Sequence, residues 1–535
     1  MIKIEISNDK FRHDAFVMTK AFFPEEDLEV VETKAISPGD RLKACSLGEG
    51  LGYTTKLNLR QRALSDSGEG VERLENLDFR DGDEEPESPD SLGQADRPEL
   101  VRNSVGALIL WDGRPVADVA VTENEVPNSV AMRNELKRRI YADLSAVCDR
   151  ELPWGALTGV RPTKLVRDLL GQGLSRDNLR TLFRQYYYVG REKTDLALNI
   201  AEYESEILSR APFHKGYSLY VGIPFCPTTC LYCSFPSYPI CQWKGRTGEY
   251  LDALRKEMEF VSGRFPGRVP DTIYVGGGTP TSLSPVDLDR LLGMLSEYFD
   301  IGKTLEFTVE AGRADSITAG KLRVLRKYGV GRISVNPQTM NDETLKLIGR
   351  HHTAEQVKRA FYLARDEGFN NINMDTILGL PNEAVAEVGR TMEEISAMGP
   401  DSLTVHSLAL KRASRLNREI TELGYEVFRN TEETMALAGS TAAGMGMKPY
   451  YLYRQKNMAG NFENTGFCRP GKEGLYNILI MEEVQSIIAL GAGTVTKRVS
   501  GDGQISRCDT TKDPGLYIRD IDEMIERKRK LFSED

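Results

Sequence analysis

Residues 217–235 read YSLYVGIPFCPTTCLYCSF. The run from Tyr217 to Ile223 is rich in aromatic and β-branched residues and ends at Pro224, which predicts a strand. The loop after it holds Cys226, Cys230 and Cys233 at Cys-x-x-x-Cys-x-x-Cys spacing. Outward from this stretch the pattern alternates. The helical segment GEYLDALRKEMEFVSG leads to strand DTIYVGGG, then to helix LDRLLGMLSEYF and strand LEFTVEA. Helix ITAGKLRVLRKYG, strand RISVNPQ, helix AEQVKRAFYLARDEG, strand NINMDTILGL, helix EVGRTMEEISAMG and strand SLTVHSLA continue the series. Repeated strand–helix units predict a parallel sheet with right-handed crossovers, here an open partial (β/α)6 barrel of the TIM type. In such a fold the site lies at the carboxyl ends of the strands, and the motifs of this chain fall there.

The expected fold class is therefore α/β, with an N-terminal α+β accessory domain and a mainly helical C-terminal region. VGALILWDGRPVADVAV reads as strand, Asp-Gly turn and strand, and MRNELKRRIYADLSAVC as a helix ending before Pro153. Residues 1–150 are the accessory domain, 151–214 a helical connector, 215–425 the core and 426–535 a C-terminal, substrate-associated domain. The formal charge of -10 comes from one place: residues 64–99 hold thirteen acidic residues against Arg73, Arg80 and Arg97. That stretch is poor in apolar side chains and self-repelling, so it reads as a flexible, solvated insert. The remainder is formally neutral, which gives no basis for a nucleic-acid partner. No apolar run is long enough to span a bilayer, and the opening MIKIEISNDK alternates like a strand rather than resembling a secretory signal. A cytoplasmic location follows as the expectation. Eight unevenly spaced cysteines do not form a secreted disulfide framework, and three within eight residues point to metal or redox chemistry.

Three thiolates suit a 4Fe–4S cubane, which usually takes four and is here left with one open iron. In a radical S-adenosylmethionine (SAM) site the amino and carboxylate groups of SAM chelate that iron. The reduced cluster then passes an electron to the sulfonium, and a 5′-deoxyadenosyl radical results. A zinc site would need a fourth ligand, for which Cys241 is the nearest thiol. The strand before the loop and the glycine run after the next strand fit the SAM reading better. Tyr232 sits where radical SAM proteins place an aromatic beside the adenine. Gly276-Gly277-Gly278-Thr279-Pro280-Thr281 lets the backbone approach a ligand and offers a hydroxyl to a carboxylate. Glu310, Gln338 and Asp375 stand at later strand ends, where a buried acid costs several kcal/mol if left unpaired; a salt bridge or a strand-end cap would answer that, but three at equivalent depths favour ribose hydroxyl and amino-group contacts. Arg350 suits a SAM carboxylate.

YVGIPFCPTTCLYCSF, GGGTPT, SVNPQTMNDETLKLIGRHH and MDTILGLP together resemble the radical SAM oxygen-independent coproporphyrinogen III oxidase group. PWGALTGVRPTKLV, YYLYRQKNMAGNFEN and YNILIMEEVQSIIALGAG resemble its HemZ branch most. The resemblance spans roughly residues 105–535. It implies Tyr220, Gly277 and Glu310 around a cluster-bound SAM, and Gly278, Thr279, Gln338, Arg350, Asp375 and Ala409 around a second SAM. The oxidase branch usually has His at the position of Gly222 and a fourth cysteine at that of Phe235. The implied reaction converts two propionates of coproporphyrinogen III to vinyl groups, giving protoporphyrinogen IX in heme biosynthesis. Its partners are a tetrapyrrole substrate and a reduced donor of flavodoxin or ferredoxin type. Tyr451, Tyr453, Arg454 and Lys456 interleave aromatic and cationic groups suited to a flat tetracarboxylate, and Lys411, Arg412, Arg415 and Arg418 form another basic cluster. The alternatives are a heme-binding chaperone of the HemW type, with His351, His352 and His406 as candidate heme ligands, and a radical SAM tetrapyrrole methyltransferase or degrading enzyme.

Overall fold

A computed structural model describes residues 1–23, 26–33, 104–122, 128–159, 161–409, 430–455, 459–501 and 503–533. The acidic insert, the basic cluster Lys411, Arg412, Arg415 and Arg418, and Lys456 lie outside the described residues. The chain divides into two compact units, Met1–Leu198 with Arg454–Phe462, and Asn199–Tyr453 with Glu463–Asp535. Much of the expected connector thus clusters with the N-terminal residues.

In the first unit, strands β1 (Ile2–Ile6), β2 (Leu28–Glu32), β3 (Ser104–Trp111) and β4 (Arg114–Thr122) form a sheet in the order β2-β1-β3-β4. β1 and β2 are parallel, joined by the helix Arg12–Phe22, and the other pairings are antiparallel. Alternation fixes the buried face, since Ile2, Ile4 and Ile6 are fully covered. The Asp112-Gly113 turn has positive φ at both residues, 47° and 78°, the conformation that a two-residue hairpin favours. The helix Ser129–Cys148 is capped by Asn128, whose side chain accepts from the Ala131 N–H, and Leu136 and Ile140 on it join the same core.

Among the described residues the second unit is built on an eleven-stranded sheet. Its first strand in chain order is β5 (Tyr217–Ile223), followed after two short strands, β6 (Phe225–Cys226) and β7 (Tyr238–Pro239), by β8 (Thr272–Gly277), β9 (Glu306–Glu310), β10 (Arg332–Ser334), β11 (Ile372–Leu378) and β12 (Ser402–Ser407). β5 and β8 to β12 are parallel and neighbour one another in chain order, as the alternating pattern predicts. Antiparallel β13 (Lys448–Tyr453) and β14 (Asn464–Cys468) extend the sheet beyond β12. β15 (Ser486–Leu490) pairs parallel to β5, and β16 (Val495–Val499) and β17 (Ile505–Asp509) complete that edge. The C-terminal region therefore mixes helices with strands that finish the core sheet.

Period-two alternation divides the parallel strands into two faces. Val221, Val275, Val309, Met374 and Val405 pack into the main hydrophobic core. The residues between them are polar or aromatic, and they bond to one another across strands. Thr272 donates to Ser218 at 2.7 Å, and Arg332 donates to Ser402 at 2.8 Å. The C-terminal helix Ile521–Ser533 is pinned by Lys528, which meets Glu257 at 2.6 Å with both side chains fully buried. Tyr517 also donates to Glu257, so the carboxylate is satisfied as burial demands.

Candidate active site

Pro224 ends β5, and the chain turns into the cysteine loop through β6. Cys226 and Cys230 are buried, Cys233 is half-buried, and all three are free thiols. Burial raises the Cys226 thiol above its ordinary value and pushes that of Cys233 up to about 11, with the other cysteines of the loop adding to both. Such thiols fit metal ligands, because coordination removes the proton that burial retains. Cys241 is exposed. Among the described residues no three Cys, His, Asp or Glu side chains are grouped as a single-ion site, whereas a cubane distributes its ligands over several irons.

The glycine run after β8 packs against this loop. The N–H of Gly278 donates to Ile223 O at 2.8 Å and that of Thr279 to Phe225 O at 2.7 Å. A Cβ on Gly278 would stand 2.7 Å from Phe225 O and 2.9 Å from Cys226 Sγ, so only glycine allows this approach. Gly277, at φ 108°, needs the same freedom. The Thr279 hydroxyl reaches Cys226 Sγ at 3.5 Å. Gly222 has a similar explanation. A Cβ there would lie 2.5 Å from Thr494 Cγ2, so the segment after β15 fills the space that a histidine side chain would use.

Glu310, at the end of β9, accepts from the Tyr274 hydroxyl at 2.6 Å, and burial pushes its carboxyl up to about 7. Tyr274 stacks on Tyr476 with ring centroids 4.6 Å apart, and Tyr220 stacks on Tyr274 at 6.0 Å. Three stacked rings thus line one side of the carboxyl. Gln338 is buried at φ 66°, a backbone conformation rare outside glycine, and its Oε1 has no partner. Its backbone is locked to β11: the N–H donates to Asp375 O at 3.0 Å, and its carbonyl accepts from Ile377 N–H at 2.9 Å. Asn336 Oδ1 and Arg350 Nε are also buried without a partner. Unanswered polar atoms in one place fit a polar ligand such as SAM. Arg350 donates to Asn336 O. Burial opposes its charge, but Tyr232 and Cys230 beside it more than offset that and raise its pKa.

Asp375 on β11 accepts from Asn373 at 2.7 Å and lies 3.8 Å from His406 Nε2. Burial works to raise its carboxyl, yet His406, Asn373 and Thr404 together hold it below the usual range. His406 Nδ1 is 3.4 Å from the Tyr453 hydroxyl. Tyr451 lies over Gly466 of β14, where any Cβ would collide with its ring, and its hydroxyl reaches Thr404 at 3.4 Å. The Tyr451 and Tyr453 rings are near parallel, 5° apart with centroids at 6.4 Å. Ala409 follows β12, half-buried.

The structure thus gathers the cysteines with Tyr232, Gly277, Gly278, Thr279 and Arg350, links Tyr220 to Glu310 through Tyr274, and sets Asp375 beside the Tyr451–Tyr453 pair. Arg454 belongs to the first unit, where it stacks on Trp154 at 5.5 Å and donates to Leu157 O and Asn461. His352 is buried 3.8 Å from Asp315, while His351 is exposed. Sequence reading passed over Arg313, Asp315, Tyr274 and Tyr476. Tyr274 had a signal in its two-residue interval from Gly276, but Tyr476 reaches the site from a distant segment.

The radical SAM superfamily matches residues 220–395. Over 389 residues the chain is 42% identical to the oxygen-independent coproporphyrinogen-III oxidase-like protein HemZ of Bacillus subtilis (strain 168), covering 71% of this chain and 77% of that one. It is 36% identical over 195 residues to the heme chaperone HemW of the same organism, covering 36% of this chain and 51% of the chaperone. Among solved structures, coproporphyrinogen III oxidase (HemN) from Escherichia coli, a radical SAM enzyme, aligns with a TM-score of 0.48 at 24% identity, covering 60% of this chain and 72% of that one. The cofactors are accordingly a 4Fe–4S cluster and SAM.

Proposed function

The chain belongs to the radical SAM family of the oxygen-independent coproporphyrinogen-III oxidase-like protein HemZ, and from that membership we propose that it decarboxylates coproporphyrinogen III oxidatively to protoporphyrinogen IX. The observation that carries the reading is the Tyr453–His406–Asp375 chain, backed by the near-parallel ring of the buried Tyr451, an aromatic strand edge that ends in polar groups. A tetrapyrrole with ionised rim groups matches such an edge.

Cys226, Cys230 and Cys233 would hold the cluster. Tyr220, Tyr232, Gly277 and Glu310 would hold one SAM, and Gly278, Thr279, Gln338, Arg350, Asp375 and Ala409 would hold a second. Bound together, these groups supply a carbon radical that takes a hydrogen atom from substrate. For each propionate, the β-carbon loses that hydrogen atom, carbon dioxide leaves, and one electron passes to an acceptor, so a vinyl group remains. The chain's own part is placement and dryness. Tyr220, Tyr274 and Tyr476 exclude water on one side, and His406 stands between the Tyr453 hydroxyl and the Asp375 carboxylate, where a propionate end can meet it. A reduced flavodoxin- or ferredoxin-type donor supplies the electron. The cytoplasm is the compartment this reading assigns; among the described residues, no helix is long and apolar enough to cross a membrane.

The exposed His351, together with the similarity to HemW, favours a second reading as a heme-binding chaperone. One experiment separates the two. The reconstituted protein is incubated anaerobically with reductant, SAM and coproporphyrinogen III, and mass spectrometry follows 5′-deoxyadenosine and vinyl product. Both rising in step supports the decarboxylase. Deoxyadenosine without decarboxylated product sinks it, and stoichiometric heme binding without reductant then identifies the chaperone.

A further inference from the structure

The three cysteines stand in unequal surroundings. Cys226 receives a neutral hydroxyl from Thr279, and Cys233 faces the backbone carbonyl of Phe235 at 3.8 Å. Cys230 faces a cation: Arg313 Nη1 lies 3.7 Å from its sulfur. Arg313 is only 2% exposed, so each of its nitrogens must find a partner. Nε and Nη2 grip Asp315 in a fork at 3.0 and 2.7 Å, while Nη1 also donates to Thr228 O at 3.0 Å and to the Thr228 hydroxyl at 2.8 Å. Thr228 lies between Cys226 and Cys230, and its hydroxyl donates in turn to Gly349 O at 3.2 Å. The segment after β9 therefore holds the middle of the cysteine loop through one guanidinium. Arg350 flanks the same cysteine, so two cations and one opposing carboxylate, Asp315, surround that corner.

We propose that Arg313 is a positioning residue that raises the reduction potential of the iron–sulfur cluster by holding a fixed positive charge against Cys230, with Asp315 aiming the guanidinium and partly offsetting its charge. The proposal rests on the cluster-loop reading and is independent of the substrate. Reduction adds one electron to a group carried by three thiolates, with no proton moved and no bond broken, so a nearby cation favours the product state. Arg313 and Cys230 are both buried, so the charge acts between them with little screening.

The test is a potentiometric titration of the reconstituted full chain without SAM, using dithionite and mediator dyes as electron source and electron paramagnetic resonance as readout. Arg313→Met is expected to lower the equilibrium constant for reduction at least tenfold, which for one electron is 59 mV in the negative direction. Arg313→Lys keeps the charge and recovers most of that loss. Asp315→Asn removes the opposing charge and moves the potential the other way, a sign that a merely structural role does not produce. If Arg313→Met cannot hold iron, the Asp315→Asn shift decides alone. An unchanged potential in a cluster-replete Arg313→Met protein, or in Asp315→Asn, overturns the proposal. A parent protein with no cubane spectrum overturns the cluster-loop reading instead.

Discussion

On the β5–β9 side of the half-barrel, polar atoms around the cysteine loop are joined by short contacts. Arg313, Asp315 and Thr228 meet at 2.7–3.0 Å, and Tyr274 reaches Glu310 at 2.6 Å. On the β11–β14 side Asn373 holds Asp375 at 2.7 Å, but the contacts around His406 are longer, with Tyr453 to His406 at 3.4 Å, Tyr451 to Thr404 at 3.4 Å and His406 to Asp375 at 3.8 Å. The first set ties the cysteine loop and the end of β9 through short bonds, so it fixes geometry there. The second lies at or beyond the limit of a good hydrogen bond, so these contacts can shift at little cost. A radical site needs both properties, a rigid place where the radical forms and an adaptable wall for the substrate.

The sharpest way to break this comparison is at Cys230. Cys230→Ala is expected to abolish the brown chromophore and SAM cleavage together, because a cubane held by two thiolates loses its frame. Absorption spectra and deoxyadenosine release check it, and a full cubane spectrum in the variant would remove Cys230 from the ligand set.

Glu310 gives the next largest effect, and it has a pH signature. The buried carboxyl is raised from 4.5 to about 7, so in the SAM-free protein the folded chain binds this proton more tightly than the unfolded chain does. Its contribution is fully present below about pH 4.5 and is lost as pH rises through about 7. The loss amounts to about 3 kcal/mol at most, from 1.36 kcal/mol per tenfold change in proton affinity. Glu310→Gln should match the parent at pH 5 and exceed it at pH 8 in urea midpoint. Equal midpoints at both values would mean that Glu310 is solvated rather than buried.

How far each side was legible follows from how local its signals are. The cysteine loop, the glycine run and the parallel strands carry their information within a few residues. Outer Val221, Val275 and Val309 alternate with inner Tyr220, Tyr274 and Glu310, and that period alone puts Glu310 on the inner face beside Tyr274. β15 had no such signal, since pairing beside β5 joins Ile487 to Ser218 across most of the core. Arg313 was equally silent. In sequence it is one loop arginine among many, and only its burial against Thr228 and Cys230 singles it out. Arg454 differs in another way. It continues the Tyr–Tyr–Arg pattern, but β13 ends at Tyr453, and the next residue packs on Trp154.

That last junction gives the finest test of the adaptable side. Tyr453 and Arg454 are adjacent in sequence, yet they belong to different units. If the β11–β14 edge binds the tetrapyrrole, Tyr453→Phe removes one hydroxyl from the Tyr453–His406–Asp375 chain and leaves the ring in place. A hydrogen bond of this kind contributes roughly 1 kcal/mol, so KM should rise about fivefold with cluster content unchanged. Arg454→Met should leave KM within about twofold and instead lower the thermal midpoint, because its partners are Trp154, Leu157 and Asn461. The opposite pattern, with Arg454→Met raising KM and Tyr453→Phe silent, would move substrate recognition from the strand edge to the chain that follows it. The long contacts at His406 would then be ordinary features of a strand end, and the contrast between a rigid and an adaptable side would lose its functional meaning.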